Sequence, residues 1–181
     1  IVFGAAGNAN TNIGLGGTAE SYPAEFPNVV CVGASQQNDD RAYWSANSQS
    51  NYGTPVDIVA PGSDIPMMDV WPSGAYTYNS WDGTSFASPG AMGVAALIWS
   101  ANPSLTNQGV VDILLATTDA SRHQDFAVDF PSAGIANAAK GVLAALTTVP
   151  ANAGVVYPYI NFWRPVDSST MISISGGVGV T

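Results

Sequence analysis

The chain has 181 residues, of which 46% are hydrophobic and 9% are charged, and four Lys and Arg against thirteen Asp and Glu give a net charge of −9. This balance argues against binding to a nucleic-acid backbone, which requires clustered cations, and no run reaches the ~18 apolar residues of a membrane-spanning helix. The apolar content suits one globular domain with a short appendage.

Three short apolar runs predict buried strands, because each is continuous and is followed by Gly, Pro or polar residues. They occupy residues 1–6, 29–34 and 56–60. Runs without alternation are typical of a parallel sheet that is covered on both faces. The polar, Gly-rich stretch 9–20 between the first two runs predicts a loop.

Three helices are predicted in the second half of the chain. Residues 85–100 are rich in Ala, Gly and Met with few polar side chains, which predicts a fully buried helix. Ser104 or Thr106 can cap a second helix over residues 107–117. An apolar stripe at helical spacing predicts a last helix over residues 135–146.

Prolines and aromatic residues become frequent beyond residue 146, and residues 171–175 alternate between apolar and polar side chains. We therefore predict that residues 147–181 are a linker and the beginning of a β-rich appendage. Residues 1–146 form the main domain in this division.

Ser85 stands out as a candidate nucleophile. A serine hydroxyl needs a base to take its proton and donors that await the oxyanion. At the start of the predicted helix, Ser85 would have a free backbone N–H and the positive end of the helix dipole beneath the reacting carbonyl. Gly83 lets substrate and backbone approach closely. Taken alone, the same Gly-Thr-Ser segment is more simply explained by a helix-capping serine.

The segment DGTSFASP at residues 82–89 resembles the signature around the nucleophile of the subtilisin-like serine proteases (subtilases, peptidase S8 family). With the other matching segments, the resemblance covers about residues 1–145 and implies the C-terminal half of a subtilisin-like three-layer α/β fold, with a parallel sheet between helices. The other segments follow in the family's order: AAGN at 5–8, YP at 22–23, FPNVVCVGA at 26–34, VAPG at 59–62 and GIANAA at 134–139.

This resemblance implies a serine endopeptidase that hydrolyses polypeptides without a required cofactor. Ser85 would attack a peptide carbonyl, and the Asn8 side-chain amide with the Ser85 backbone N–H would bind the tetrahedral oxyanion. For Asn8 considered alone, a turn-forming Gly-Asn pair is the simpler interpretation. The residues that the resemblance implies for substrate binding are Gly4, Ala5, Ala6, Gly7 and Thr84.

A weak cation site is a further implication of the resemblance. The backbone carbonyls of Ala24, Phe26 and Val29 resemble the family's site, where a structural Ca²⁺ or Na⁺ ion could bind. The preceding Tyr22-Pro23 bond resembles a segment that is cis in family members.

The match is incomplete, because subtilases place a catalytic His and Asp before the oxyanion Asn and neither precedes Asn8 here. The only histidine, His123, lies in a polar stretch and is expected at the surface. Asp82 and Gly90 also replace the Asn and His that are common in the family. This chain alone is therefore expected to be inactive.

Two explanations account for the absence of the catalytic His and Asp before Asn8. In the first, an N-terminal fragment, in another chain or not identified, supplies Asp and His. In the second, the fold serves as a non-catalytic module of an extracellular structural assembly.

Cellular location is suggested by composition alone. Abundant Gly, Ser, Thr and Asn with almost no Lys favour a secreted or extracellular protein. The single cysteine, Cys31, excludes an intrachain disulfide and is expected to be a buried strand thiol. The chain opens inside an apparent core strand without a signal peptide, so we expect that it was cut from a longer polypeptide.

Overall fold

Seven strands and four helices follow one another in the part of the chain that the structure describes. This computed structural model describes residues 1–148 except 15, 18, 71–73, 75, 122 and 124. In chain order the elements are β1 (Val2–Ala5), β2 (Val29–Ser35), β3 (Tyr43–Ser45), β4 (Ser48–Gln49), β5 (Ile58–Pro61), β6 (Ile65–Val70), β7 (Tyr76–Trp81), α1 (Thr84–Ala101), α2 (Asn107–Ala116), α3 (Phe126–Asp129) and α4 (Ala138–Thr147).

The central sheet is parallel, with β2 between β1 and β5. Val2 pairs with Val29 and Val32 pairs with Ile58. From its second residue onward, every residue of β2 is buried, as expected for a strand that is covered on both faces. The three predicted strands and the parallel sheet are thus confirmed, although the third strand begins at Ile58, two residues later than predicted.

Helix α1 lies on this sheet through one stripe of mostly small residues. The prediction that the helix is fully buried is wrong for the described residues, because Met92, Leu97 and Trp99 on its other faces are 52%, 52% and 37% exposed. Within the described part of the chain, these three side chains are covered only in part. The buried stripe, which recurs every three or four residues as helix geometry requires, consists of Thr84, Ala87, Ala91, Ala95 and Ile98.

Side-chain caps define where α2 and α4 begin. Thr106 Oγ1 accepts a hydrogen bond from Gly109 N–H at 3.1 Å, so Thr106, and not Ser104, caps α2. Asn137 Oδ1 accepts from Lys140 N–H at 2.9 Å, and α4 therefore begins at Ala138. The predicted start at Ile135 is wrong, because Ile135 forms β-bridges with Val59 and Asp119 instead.

A hairpin of β6 and β7 was not predicted. Its strands pair in antiparallel register from Ile65 with Trp81 to Val70 with Tyr76. The hairpin directly precedes α1, the helix that carries Ser85, since β7 ends at Trp81 and α1 begins at Thr84.

The described residues lie in one compact unit, Ile1–Thr148. The predicted linker and β-rich appendage fall outside the described residues, apart from Thr147, which ends α4, and Thr148. Within the described part of the chain, no helix combines the length and the apolar character that crossing a membrane requires.

Candidate active site

Asn8 projects from the loop that follows β1 at the carboxyl edge of the sheet. The chain leaves the sheet after Ala6, whose N–H donates to Val32 O at 2.9 Å. Gly7 then adopts a φ of 99°, a conformation that L-residues with a Cβ rarely adopt. This turn leaves the Asn8 side chain exposed.

Ser85 is the second residue of α1. The N-cap residue is Gly83, with φ 142° and ψ 155°, and its N–H donates to Gly62 O at 2.8 Å at the end of β5. Helices leave their first N–H groups without internal partners. Among the described residues, neither the Ser85 N–H nor its hydroxyl has a hydrogen-bond partner, and the residue is exposed.

Thr84 connects the Asn8 loop, residues 6–11, to the helix. Asn8 Oδ1 accepts hydrogen bonds from Thr84 N–H at 3.0 Å and from Thr84 Oγ1 at 2.8 Å. The Thr84 hydroxyl oxygen in turn accepts from Gly7 N–H at 3.1 Å. Because the Thr84 N–H can only donate, the network assigns the carboxamide oxygen to this side and the Nδ2 group to the other.

The Asn8 Nδ2 group and the Ser85 N–H both border the space beside Gly83. A Cβ placed on Gly83 would lie 3.3 Å from Asn8 Nδ2 and 3.7 Å from Ser85 N. Neither donor has an acceptor in the described part of the chain. Stabilising an oxyanion in acyl transfer requires unpaired donors of this kind near the nucleophile.

The residues predicted to bind substrate differ in their accessibility. Ala5 and Gly7 are half-buried, whereas Gly4, Ala6 and Thr84 are buried. A Cβ on Gly4 would lie 2.7 Å from Ala24 Cα, so this position faces the core. Ala6 has both its N–H and its carbonyl hydrogen-bonded within the protein, to Val32 O and Asn51 Nδ2, so neither Ala6 nor the buried Gly4 is open to a substrate in this structure. The buried Thr84 bonds to Asn8.

The predicted cation site lies in a turn after a cis Tyr22-Pro23 bond. The Phe26 carbonyl already accepts from Val29 N–H at 3.1 Å. The neighbouring Glu25 carboxylate accepts from Ser21 N–H and is directed back along its own turn. A cation here would have to share the Phe26 oxygen and would gain no carboxylate from Glu25, so the cation site stays a prediction.

A base for Ser85 is not found among the described residues. His123 Nε2 contacts Asn38 O at 2.7 Å, and its Nδ1 lies 3.9 Å from Asp40. Asp82 Oδ1 accepts from Asp64 N–H at 2.8 Å and is thus joined to the hairpin. These contacts fit the prediction that His123 is a surface residue.

Cys31 of β2 and Asp57, the residue before β5, both have shifted pKa values. Burial, followed by the negative charges of Asp57 and Glu25, raises the pKa of the Cys31 thiol to about 12. Burial also raises the pKa of Asp57, opposed by the hydrogen bond that its carboxylate accepts from Cys31 N–H at 2.8 Å. A thiol held protonated in this way is a poor nucleophile, and Cys31 belongs to the core.

Asn51, which lies beside the candidate site, was not predicted from the sequence. Asn51 is 6% exposed and bonds to several groups of the Asn8 loop. A single Asn in a polar stretch gives no sequence signal, because its role depends on contacts 40 to 45 residues away.

Comparison with known proteins identifies relatives for most of the chain. The model of the Subtilase family (Peptidase_S8) matches residues 1–135. The chain is 42% identical to the M-protease of Shouchella clausii (strain KSM-K16) over 107 residues, which are 59% of this chain and 24% of that protein. It is 41% identical to the cell wall-associated protease of Bacillus subtilis (strain 168), over 66% of this chain and 12% of that protein.

A solved protease structure is also similar to this chain. A protease from Pseudoalteromonas arctica PAMC 21717 superposes with a TM-score of 0.63 and 33% identity, and the match covers 77% of this chain and 41% of that one. The chain thus spans less than half of this structure and about a quarter of the M-protease.

Proposed function

The chain belongs to the subtilase family of serine proteases, and we propose that it carries the nucleophile and the oxyanion donor of a subtilisin-type serine endopeptidase. The observation that carries this proposal is the orientation of Asn8, whose oxygen is bonded to Thr84 so that its Nδ2 group faces the same region as the Ser85 N–H. The proposed substrate is a polypeptide, as the family implies.

In the proposed reaction, Ser85 Oγ attacks the carbonyl carbon of the scissile peptide bond. The hydroxyl proton passes to a histidine base, and the oxyanion receives hydrogen bonds from Asn8 Nδ2 and Ser85 N–H. Collapse of the intermediate breaks the C–N bond, and the leaving amine takes the proton from the histidine. Water, deprotonated by the same base, then releases the acyl group and restores Ser85.

We propose that the His and Asp come from an N-terminal fragment outside this chain. Support comes from the apolar side chains that α1 leaves exposed, namely Met92, Leu97 and Trp99. The edge strand β1 adds support, since among the described residues it pairs only with β2 and its Val2 is 56% exposed. Large apolar patches and free strand edges are normally covered in a complete domain.

We also propose that the protein acts outside the cell. The chain has only four Lys and Arg, and one of its relatives is a cell wall-associated protease. Secretion of the tagged polypeptide into the medium tests this proposal, and retention inside the cell would contradict it.

Hydrolysis of casein by the complete polypeptide that contains this chain tests the proposed function. Ser85→Ala should abolish hydrolysis. Ser100→Ala provides the matched control, because Ser100 is an exposed serine near the other end of α1 and should leave the rate unchanged. A folded polypeptide that lacks hydrolysis even without substitution would support the competing proposal, a non-catalytic module of an extracellular assembly.

A further inference from the structure

We propose that Asn51 is a positioning residue for the oxyanion donor Asn8. This inference rests on the proposed function and adds to it a residue that bonds to neither the nucleophile nor Asn8's side chain. The segment that it would position is the Asn8 loop, defined as residues 6–11.

The Asn51 carboxamide bonds to both ends of the Asn8 loop. Its Nδ2 donates to Ala6 O at 2.8 Å, before Asn8. Its Oδ1 accepts from Ala9 N–H at 2.9 Å, from Thr11 N–H at 3.1 Å and from Thr11 Oγ1 at 2.9 Å, after Asn8. One planar group thus fixes the separation of the loop's two sides.

The backbone of Asn51 reinforces this contact. Its N–H donates to Gly7 O at 2.8 Å. A Cβ on Gly7 would lie 2.5 Å from Asn51 Nδ2, so the loop passes directly over the carboxamide. Because Asn51 is 6% exposed, water cannot easily replace its hydrogen bonds, and their loss would leave loop N–H groups unpaired.

The position of Asn8 matters because catalytic donors act only within narrow limits. A displacement of about 1 Å can reduce turnover about 100-fold. The Asn8 side chain is itself exposed, so the loop beneath it must supply the rigidity. Thr84 orients the Asn8 carboxamide, and Asn51 holds the backbone on both sides of Asn8 in place.

The decisive variant is Asn51→Ala in the complete polypeptide, compared with Asn102→Ala. Asn102 is a matched control because it is also a buried Asn with side-chain hydrogen bonds, to Ala145 O at 3.1 Å and to Ser104 at 3.2 and 2.6 Å. It follows the last residue of α1, eighteen residues after Thr84.

Steady-state kinetics below the melting temperature of each variant give the first test. Asn51→Ala should lower kcat about 10-fold or more with KM changed less than about 3-fold, and Asn102→Ala should lower kcat less than about 2-fold. In an Asn8→Ala background, Asn51→Ala should change kcat less than about 2-fold, because residues that act through one another are not additive. Equal losses for the two buried Asn variants, or the same loss in both backgrounds, would overturn the proposal.

Hydrogen exchange of the Thr84 amide, which donates to Asn8 Oδ1, gives a test that does not require activity. Asn51→Ala should accelerate this exchange about 10-fold or more relative to Asn102→Ala, because the loop opens locally. Unchanged exchange would overturn the positioning role. Absence of hydrolysis in the unsubstituted polypeptide, by contrast, would overturn the proposed function and leave the exchange result to decide the role of Asn51.

Discussion

Thr84 holds the Asn8 carboxamide oxygen through both of its donors, its N–H at 3.0 Å and its hydroxyl at 2.8 Å. These two residues lie 76 positions apart, and their contact joins the loop after β1 to the first turn of α1. Since the oxygen is occupied, the Nδ2 group is the part of Asn8 that remains available to a substrate. The proposed oxyanion site depends on this pair.

Removing the Asn8 side chain should lower turnover of the complete polypeptide strongly. Asn8→Ala deletes one of two oxyanion donors, and we expect kcat to fall about 10² to 10³-fold, the loss that removal of one such donor causes in subtilisin. KM should change little, because the donor acts mainly in the transition state. An unchanged kcat, measured with a peptide substrate, would remove Asn8 from the mechanism.

Replacing Thr84 tests whether its hydroxyl orients Asn8. Thr84→Val keeps the shape of this buried residue but loses the hydroxyl and its bonds to Asn8 Oδ1 and Gly7 N–H, while the backbone N–H still donates to Asn8 Oδ1. We expect kcat to fall about 10-fold, which corresponds to about 1.4 kcal/mol of lost transition-state stabilisation. Thr84→Ser retains the hydroxyl and should retain most of the turnover. Equal rates for the two variants would contradict an orienting role.

Gly83→Ala should affect both stability and the site. The residue has φ 142° and ψ 155°, a region that is essentially restricted to glycine, so a Cβ should cost about 1–3 kcal/mol of unfolding free energy. The new methyl group would also lie 3.3 Å from Asn8 Nδ2. Urea unfolding measures the first effect, and turnover at low denaturant measures the second.

Gly109→Ala in α2 is the control for this substitution, since its nearest contact would be an ordinary 3.4 Å to Thr106 Oγ1. Alanine favours helices over glycine by about 1 kcal/mol. This variant should therefore be as stable as the parent or more stable. A smaller loss for Gly83→Ala than for Gly109→Ala would contradict the backbone argument.

The Cys31 thiol should react with a disulfide reagent only after unfolding. Its pKa is raised to about 12 in the folded protein, against about 8.5 for a free thiol. Folding therefore retains a proton that the unfolded chain releases, and stability should fall as the pH rises from about 9 toward 12. Thiol titration at pH 8 with and without urea measures the protection. Rapid reaction of the native protein would show that the thiol is not buried.

The sequence predicted the parts of the fold that depend on continuous apolar runs. Strands β1, β2 and β5 contain such runs, and α2 begins where a Thr can cap it. The sequence did not predict the β6–β7 hairpin, because its side chains are largely exposed and show no clear pattern of buried apolar positions. The start of α4 was misplaced because apolar periodicity does not distinguish a helical Ile135 from one that bridges two other segments.

The candidate site was predictable only in part, for a related reason. Ser85 and Asn8 lie in motifs that are recognisable locally, whereas Asn51 acts through contacts distant in sequence. The exposure of Met92, Leu97 and Trp99 on α1 was not predicted either, because composition alone does not show which elements cover a helix. The structure therefore adds the contacts between residues that are far apart in the sequence, which local motifs do not show.

Reaction with a fluorophosphonate tests the central claim most directly, because this reagent forms a covalent bond with a serine only when that serine is activated. The complete polypeptide should be labelled on the peptide that contains Ser85, as measured by mass spectrometry. Labelling should disappear in Ser85→Ala, persist in Ser100→Ala and slow in Asn8→Ala. Labelling that persists in Ser85→Ala, or a folded polypeptide that hydrolyses casein while Ser85 stays unmodified, would contradict the assignment of Ser85 as the nucleophile.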